Sequence, residues 1–275
     1  METKNKGFQL CAEVESPFKK EGFIANIKAD GRRVRVIKQD DNITFYGRDN
    51  IVQDRFPELV KEFRKLKGNF DIDCEFAVLK GFYSDRGLLQ TRDKTRDKFK
   101  IQLLTRNYPA TAITFDILSF NNEDLTGTEY SKRKEILKEL LSGYPTDETG
   151  EYSPIKITKD WEDPLEAWAF VGLHKLEGIV EKDLHSPYIG KRADSWVKVK
   201  RKKLTKLQFN GYEVSNAGIT LTNEQGFRVA VNGRKHIEVK NKIDNDGYAD
   251  VWVRSMADET EKGRLREIVF SSLEG

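Results

Sequence analysis

Lys28, Asp30 and Arg33 stand in the run Lys28-Ala29-Asp30-Gly31-Arg32-Arg33, where an amine, a carboxylate and guanidinium groups lie close enough in sequence for nucleophilic or phosphate chemistry. A lysine amine attacks only when unprotonated, and its ordinary pKa is near ~10.4. Neighbouring cations and partial desolvation lower that value. A fall of about three units corresponds to roughly 4 kcal/mol of ammonium destabilisation, within reach of a lysine cluster joined by a divalent cation. Lys182, Lys198 and Lys200 could supply such a cluster, and Lys198 and Lys200 share one strand face. The plainer alternative is a solvated basic edge. The run itself also reads as an ordinary hairpin, since Asp30-Gly31 sits between two apolar stretches and Asp-Gly is a strong turn signal. On an extended strand, Asn26, Lys28 and Asp30 share one face, while Phe23, Ala25 and Ile27 take the other. By composition, a Lys-x-Asp-Gly-x-Arg match arises by chance in roughly one basic chain of this length per hundred, so alone it is only suggestive.

Other residues invite the same weighing. Asp71, Asp73 and Glu75 alternate with Ile72, Cys74 and Phe76, which by period alone is a solvated strand face. Phe115 lies in an apolar strand and by itself reads as core. Glu177 follows a helix stop and could be a surface glutamate, although hard cations near phosphates need such oxygen ligands. No glycine-rich phosphate loop and no Ser/His/Asp triad pattern occurs.

The elements that must position these groups are legible in outline. Residues 54–66, 131–141 and 163–173 read as helices, from an Asp cap and Pro57, from a stop at Gly143, and from Pro164 at the first helical position. Residues 23–29, 34–37, 72–79, 113–118 and 196–200 read as short strands. After the basic stretch 198–206 the helical period fades, and 212–214, 218–222, 227–231, 237–239 and 249–253 read as strands between Gly/Asn/Asp turns. The fold class expected is α+β, with domains over 1–203 and 204–275, the second a small OB-type barrel. The composition agrees with two such cores, since 37% of the 275 residues are hydrophobic. Charged residues make up 34% while the net charge is only +3, so basic groups must be sorted into patches. Two cysteines and three histidines support neither a disulfide framework nor a structural zinc site. No apolar run has the length of a membrane span and no signal-peptide core follows Met1, so a soluble, cytoplasmic protein is expected; a monomer is expected as well.

Taken together, the segments resemble the covalent nucleotidyltransferases, the superfamily of DNA ligases, RNA ligases and mRNA capping enzymes. The Lys28 run is similar to the nucleophile motif, and Asp73-Cys74-Glu75 resembles an Asp-Gly-Glu motif with Cys in place of Gly. Thr114-Phe115-Asp116-Ile117-Leu118, Glu177-Gly178-Ile179-Val180-Glu181-Lys182 and Ser195-Trp196-Val197-Lys198-Val199-Lys200 follow in the family's order. The segment 259–266 resembles the carboxy-terminal motif of DNA ligases, with Ile268 where proline is usual.

The resemblance implies an ATP-dependent DNA ligase with an antiparallel nucleotidyltransferase domain before the OB barrel. Lys28 would attack ATP, and Asp30, Lys198 and Lys200 would complete the catalytic set. Asn26, Ile27, Lys28, Arg33, Glu75, Phe115, Lys182, Lys198, Lys200 and Arg266 would form the ATP/AMP site: Asn26 at the adenine edge, Glu75 on the ribose, Phe115 on the base, Arg266 at the pyrophosphate. Glu177 and Asp30 would hold Mg²⁺, for which Mn²⁺ could substitute. Arg48 would clamp the DNA 5′-phosphate, although Tyr46-Gly47-Arg48-Asp49 departs from the usual Ser-Arg pattern. ATP is favoured over NAD, because neither the additional amino-terminal domain nor the four-cysteine module of NAD-using ligases fits this sequence. The implied partner is nicked duplex DNA, gripped by Lys191, Arg192, Lys198, Arg201, Lys202, Lys203 and Lys206, with a charged loop over 86–100 adding to the stripe. An RNA ligase or capping-type guanylyltransferase shares the first five motifs, and a catalytically silent nucleic-acid-binding protein is the reading from another class.

Overall fold

The structure, a computed structural model, describes residues 7–49, 54–146, 151–257 and 265–274. Two compact units divide the chain, Met1–Val199 and Lys200–Gly275. The first begins with β1 (Leu10–Val14), β2 (Phe23–Ile27), β3 (Arg32–Gln39) and β4 (Asn42–Gly47). α1 (Pro57–Arg64), β5 (Phe70–Ala77), β6 (Leu79–Lys80) and β7 (Tyr83–Ser84) follow, then α2 (Arg86–Lys94) and α3 (Lys98–Asn107). β8 (Thr111–Phe120), β9 (Glu123–Asp124), α4 (Tyr130–Leu140), β10 (Ile155–Ile157), α5 (Pro164–Leu173), β11 (Gly178–Asp183) and β12 (Arg192–Lys200) complete it. One sheet has the order β1-β12-β11-β2, the other β10-β8-β5-β3-β4 with β9 on β8. β1 pairs parallel with β12 and β10 parallel with β8. The wholly antiparallel pairing expected is therefore corrected to two mixed sheets, each with a parallel strand at its edge.

The second correction concerns the Lys28 run. β2 and β3 belong to different sheets, so Asp30-Gly31 is a crossing and not a hairpin turn. Neither residue has the positive φ that a two-residue hairpin of Asn-Gly type demands. Glycine is required for another reason: a Cβ at Gly31 would stand 2.2 Å from the Phe76 carbonyl oxygen and 2.9 Å from Glu75 Cγ. The chain must pass this close to β5 to leave one sheet and enter the other.

The Asp71, Asp73 and Glu75 face is not a solvated one. Asp71 and Asp73 are buried, and each holds an arginine of the neighbouring strand: Arg33 Nε and Nη2 lie 2.9 and 2.6 Å from the Asp73 oxygens, and Arg35 forks onto Asp71. The opposite face, with Val34, Val36, Ile72, Cys74 and Phe76, packs on α1 through Leu59 and Phe63. Both faces of the sheet are thus covered, which period-2 alternation alone cannot reveal.

Helix α1 starts at Pro57 with Phe56 at its cap and no side-chain cap bond, so Asp54 does not cap it. Residues 86–100 are not a loop. Asp85 accepts from Leu88 N–H and Asp97 from Lys100 N–H, and these two caps open α2 and α3. Arg92 of α2 is buried, forks onto Glu58, and donates to the Arg55 and Tyr108 carbonyls and to Thr105 Oγ1. One guanidinium thereby ties α1, α2 and the end of α3.

The second unit holds β13 (Lys202–Phe209), β14 (Gly211–Ser215), β15 (Gly218–Thr222), β16 (Arg228–Asn232), α6 (Lys235–Asp246), β17 (Ala249–Met256) and β18 (Val269–Leu273). Its sheets are β13-β17-β18 and β14-β15-β16, around a core that includes Phe209, Leu221, Val231, Val239, Ile243 and Val251. Among the described residues no ladder joins the two sheets, so the closed barrel expected is not found. Residues 237–239 lie in α6 and not in a strand. Val239 and Ile243, four apart, point to the core, and Gly247 ends the helix at φ 80°.

Changing Gly31→Ala should cost roughly 1–3 kcal/mol, because backbone and not a flexible side chain blocks the new methyl. Urea unfolding of the two proteins checks this; equal midpoints would show that the crossing has room to spare.

Candidate active site

The crossing from β2 to β3 delivers Lys28 between the two sheets. Its backbone N–H donates to the Gly178 carbonyl at 2.8 Å, extending the β2–β11 ladder by one residue. Its Nζ lies 2.7 Å from Glu177 Oε2. Glu75 and Asp30 also act on this ammonium electrostatically, and Asp30 lies 3.2 Å from the Arg86 guanidinium at the start of α2. Four elements thus meet: the β2 end, the start of β11, β5 and the α2 N-terminus.

The charge balance at Lys28 differs from the sequence expectation. Burial alone would lower its pKa, but Glu177, Glu75 and Asp30 outweigh burial and hold the ammonium above its ordinary value. The cations expected to activate it are engaged elsewhere: Lys198 pairs with Glu13 at 2.9 Å and Lys200 with Glu267 at 2.7 Å. The lysine is held as a charged partner of carboxylates. Glu75 bears the opposite strain. Burial pushes its carboxyl up to about 7 against the pull of Lys28, Arg33 and Arg48, with Glu177 adding to the rise. Arg48, exposed at the end of β4, therefore belongs to the electrostatic surroundings of Glu75.

The depressed lysine is Lys182. Burial, reinforced by Lys134, pushes it down to about 7. Its Nζ donates to Tyr130 Oη at 3.2 Å and lies 4.8, 4.7 and 4.4 Å from the ring centres of Phe115, Tyr130 and Trp196. Phe115 is half-buried, edge-on to Trp196 at 6.0 Å. Sequence reading singled out Lys182 and Phe115 but not Tyr130 or Trp196 as their box. Trp196 stands inside a quoted motif, whereas Tyr130 carries no local signal.

Asn26 and Ile27 are both engaged within the protein. Asn26 is 2% exposed. It donates to the Lys159 carbonyl and to Asp160 Oδ1, both at 2.8 Å, and its Oδ1 accepts from Tyr130 at 3.3 Å. Its amide is used in fastening β2 to the segment after β10, while the Ile27 side chain packs in the core with Ala167, Val171 and Ile179. Arg33 is likewise committed: besides Asp73, it donates to the Gln9 carbonyl at 2.5 Å, and it lies 5.3 Å from the Phe115 ring centre. Its charge supports the floor of the site from beneath.

Arg266 lies in the second unit, where its carbonyl accepts from Met256 N–H. Residues 258–264, which include most of the segment 259–266, fall outside the described residues. In the basic stripe, Lys206 pairs with Asp250 and Glu274, and Arg192 donates to the Cys11 carbonyl.

Two mixed sheets with a buried lysine between them, held by a glutamate 149 residues later in the chain, stand in a fold shared with solved DNA ligases. A structure from a study of Lig E DNA ligases superposes with a TM-score of 0.70 at 15% identity, covering 98% of this chain and 99% of that one. The model of the ATP dependent DNA ligase domain matches residues 8–200, and the chain belongs to that family. It is 30% identical over 206 residues to a Dictyoglomus turgidum protein named "Probable DNA ligase", covering 70% of this chain and 34% of that one. It is 26% identical over 222 residues to the SPbeta prophage-derived DNA ligase-like protein LigB of Bacillus subtilis, covering 79% and 75%. The chain thus spans about a third of the length of the first of these relatives.

Two outcomes follow from this geometry. Glu177→Gln should lower the Lys28 pKa in the unliganded protein, because it removes the nearest carboxylate; the pH dependence of Lys28 acylation by an amine-reactive ester measures it. An unchanged profile would remove Glu177 as the group that stores the ammonium. Arg33→Met should cost roughly 3–5 kcal/mol in urea unfolding, since it leaves Asp73 buried and without its ion-pair partner. A near-neutral change would free Arg33 for a nucleotide role.

Proposed function

We propose that the chain is an ATP-dependent DNA ligase that charges Lys28 with AMP and uses it to seal 3′-OH/5′-phosphate nicks in duplex DNA. The observation that carries this is the lysine of the nucleophile motif fixed 2.7 Å from the glutamate of a second motif, with a third motif's Glu75 beside it. In the first step Lys28 Nζ forms a bond to the α-phosphorus as the bond to pyrophosphate breaks. The ammonium must first lose a proton, which Glu177 at 2.7 Å or Glu75, titrating near 7, is placed to accept. ATP would sit with its base against Phe115 and the neighbouring Lys182 and its ribose toward Glu75, with Lys198, Lys200 and Arg266 on the phosphates.

The AMP then passes to the 5′-phosphate of the nick, for which Arg48, exposed near Glu75, is the clamp. The 3′-hydroxyl attacks with Asp30 assisting, one phosphodiester forms and AMP leaves.

Among the described residues no three His, Cys, Asp or Glu side chains form a metal cluster. Mg²⁺, however, is commonly held by one or two carboxylates together with substrate phosphates. Glu177 and Asp30, oxygen donors beside Lys28, suit that arrangement, and Mn²⁺ would fit the same donors. When bound, the ion would neutralise phosphate charge and draw the carboxylates from Lys28.

The second unit supports an OB-type assignment, with the boundary near residues 199–204. A three-stranded meander, a helix and two further strands follow the OB order if β13 and β14 are two halves of one bent strand. A monomer acting on nicked duplex is the form proposed. No helix among the described residues is long and apolar enough to cross a membrane.

Incubation with ATP labelled at the α-phosphate, followed by denaturing electrophoresis, tests the reading. Wild type should carry a label that Lys28→Ala lacks, while Lys28→Ala should still seal a nick supplied with AMP on its 5′-phosphate. An adduct from GTP in place of ATP, or sealing confined to RNA, would overturn the assignment, as would a labelled Lys28→Ala.

A further inference from the structure

Residues 94–106 carry five cations against one carboxylate, a net charge of +4 that exceeds the +3 of the whole chain. Many cations of the first unit are paired. Lys28, Arg32, Arg33, Arg35, Arg92 and Arg133 all hold carboxylates. Lys94, Arg96, Lys98, Lys100 and Arg106 form no ion pair with any described residue. An unpaired like-charged run is self-repelling, and folding gains nothing from it.

The same stretch exposes apolar surface. Helix α3 has no fully buried residue; Phe99 is 74% and Leu103 49% exposed, one turn apart on one face. Ile101, Leu104 and Thr105 face inward instead. The helix is nevertheless fixed, through the Asp97 cap at its start and through Arg92, which holds Thr105 and the Tyr108 carbonyl near its end. An anchored helix that turns a phenylalanine, a leucine and unpaired cations outward is complementary to a polyanion with apolar surface between its charges.

Position decides which polyanion. Helix α2 starts at Arg86, 3.2 Å from Asp30 in the Lys28 loop, and Arg32 of the same crossing reaches Asp93 of α2 at 3.4 Å. The nine residues of α2 and the short link to α3 place Phe99 within about 30 Å of Arg86. That is less than one turn of duplex, roughly 34 Å.

We infer that the outward face of α3 is a duplex-binding surface, with Arg96, Lys98, Lys100 and Arg106 on the phosphates flanking the nick and Phe99 and Leu103 against the sugars of a groove. The inference rests on the ligase reading for the identity of the nucleic acid. It replaces the stripe on β12 as the main electrostatic grip of the first unit.

The test uses the full chain and a nicked duplex of about 40 base pairs, with lysyl-AMP formation from ATP followed in parallel. Lys98→Gln/Lys100→Gln/Arg106→Gln should reduce the slope of log affinity against log salt by about 2 to 3, near 0.9 for each lost phosphate contact. Phe99→Ser/Leu103→Ser should weaken duplex binding about tenfold with little change of salt slope. Both variants alter exposed side chains, so their melting temperatures and lysyl-AMP yields should match wild type. Unchanged affinity and slope would overturn the inference. So would weakened binding accompanied by an equal loss of lysyl-AMP, which would make α3 a support of the site, or unchanged DNA binding with loss of an acidic protein partner. Absence of lysyl-AMP from wild type, with the duplex effects intact, would overturn the ligase reading and leave the surface standing.

Discussion

Everything at the site depends on the ammonium of Lys28 being held between two sheets by a carboxylate 149 residues later in the chain. The pair closes at 2.7 Å, with the Glu177 side chain 6% and that of Lys28 24% exposed. At such burial an unpaired charge costs several kcal/mol, so each partner requires the other. The chain meets this demand through the crossing at Gly31, which brings β3 against β5 and therefore Glu75 beside the same lysine. The buried ammonium, the carboxylates around it and a carboxyl titrating near neutrality are consequences of one change of sheet.

The ion pairs beneath the site serve a second purpose. Arg33 with Asp73, Arg35 with Asp71 and Arg133 with Asp116 are buried, and each binds one strand or helix to its neighbour. Replacing such pairs by well-packed apolar residues is often neutral or stabilising, so their value here lies in geometry more than in energy. The Arg33 fork fixes the register of β3 against β5, and with it the relation of Lys28 to Glu75. Arg133 anchors α4, and Tyr130 at the start of that helix touches both Lys182 and Asn26.

An amine stored as an ammonium among carboxylates is inert until something relieves it. Arrival of phosphates and a divalent ion would change the partners of Glu177 and Asp30, and the lysine would lose what holds its proton. In the proposed reaction, substrate binding and activation of Lys28 would then be one electrostatic event. The depressed lysine of the site, Lys182, plays no nucleophilic part, since its Nζ is enclosed by three aromatic rings.

Sequence by itself determined the motif lysine, its two glutamates and their order, because covalent chemistry on a phosphate admits few residue types. It also determined α5 and five strands of the first unit, β2, β3, β5, β8 and β12, where Asp163, Pro164 and alternating apolar positions leave local signals. It did not determine that Asp30-Gly31 crosses between sheets. The same dipeptide serves a hairpin, and only the position of the Phe76 carbonyl makes glycine necessary there. Local pattern read 86–100 as a loop and 237–239 as a strand. The caps at Asp85 and Asp97 and the Val239–Ile243 spacing were available, but high charge and β-branched residues masked them. The charge states of Lys28, Glu75 and Lys182 were decided by tertiary structure alone. A pKa is set by what lies within a few ångströms in space, and here the deciding groups, Glu177 to Lys28 above all, are separated by as many as 149 residues.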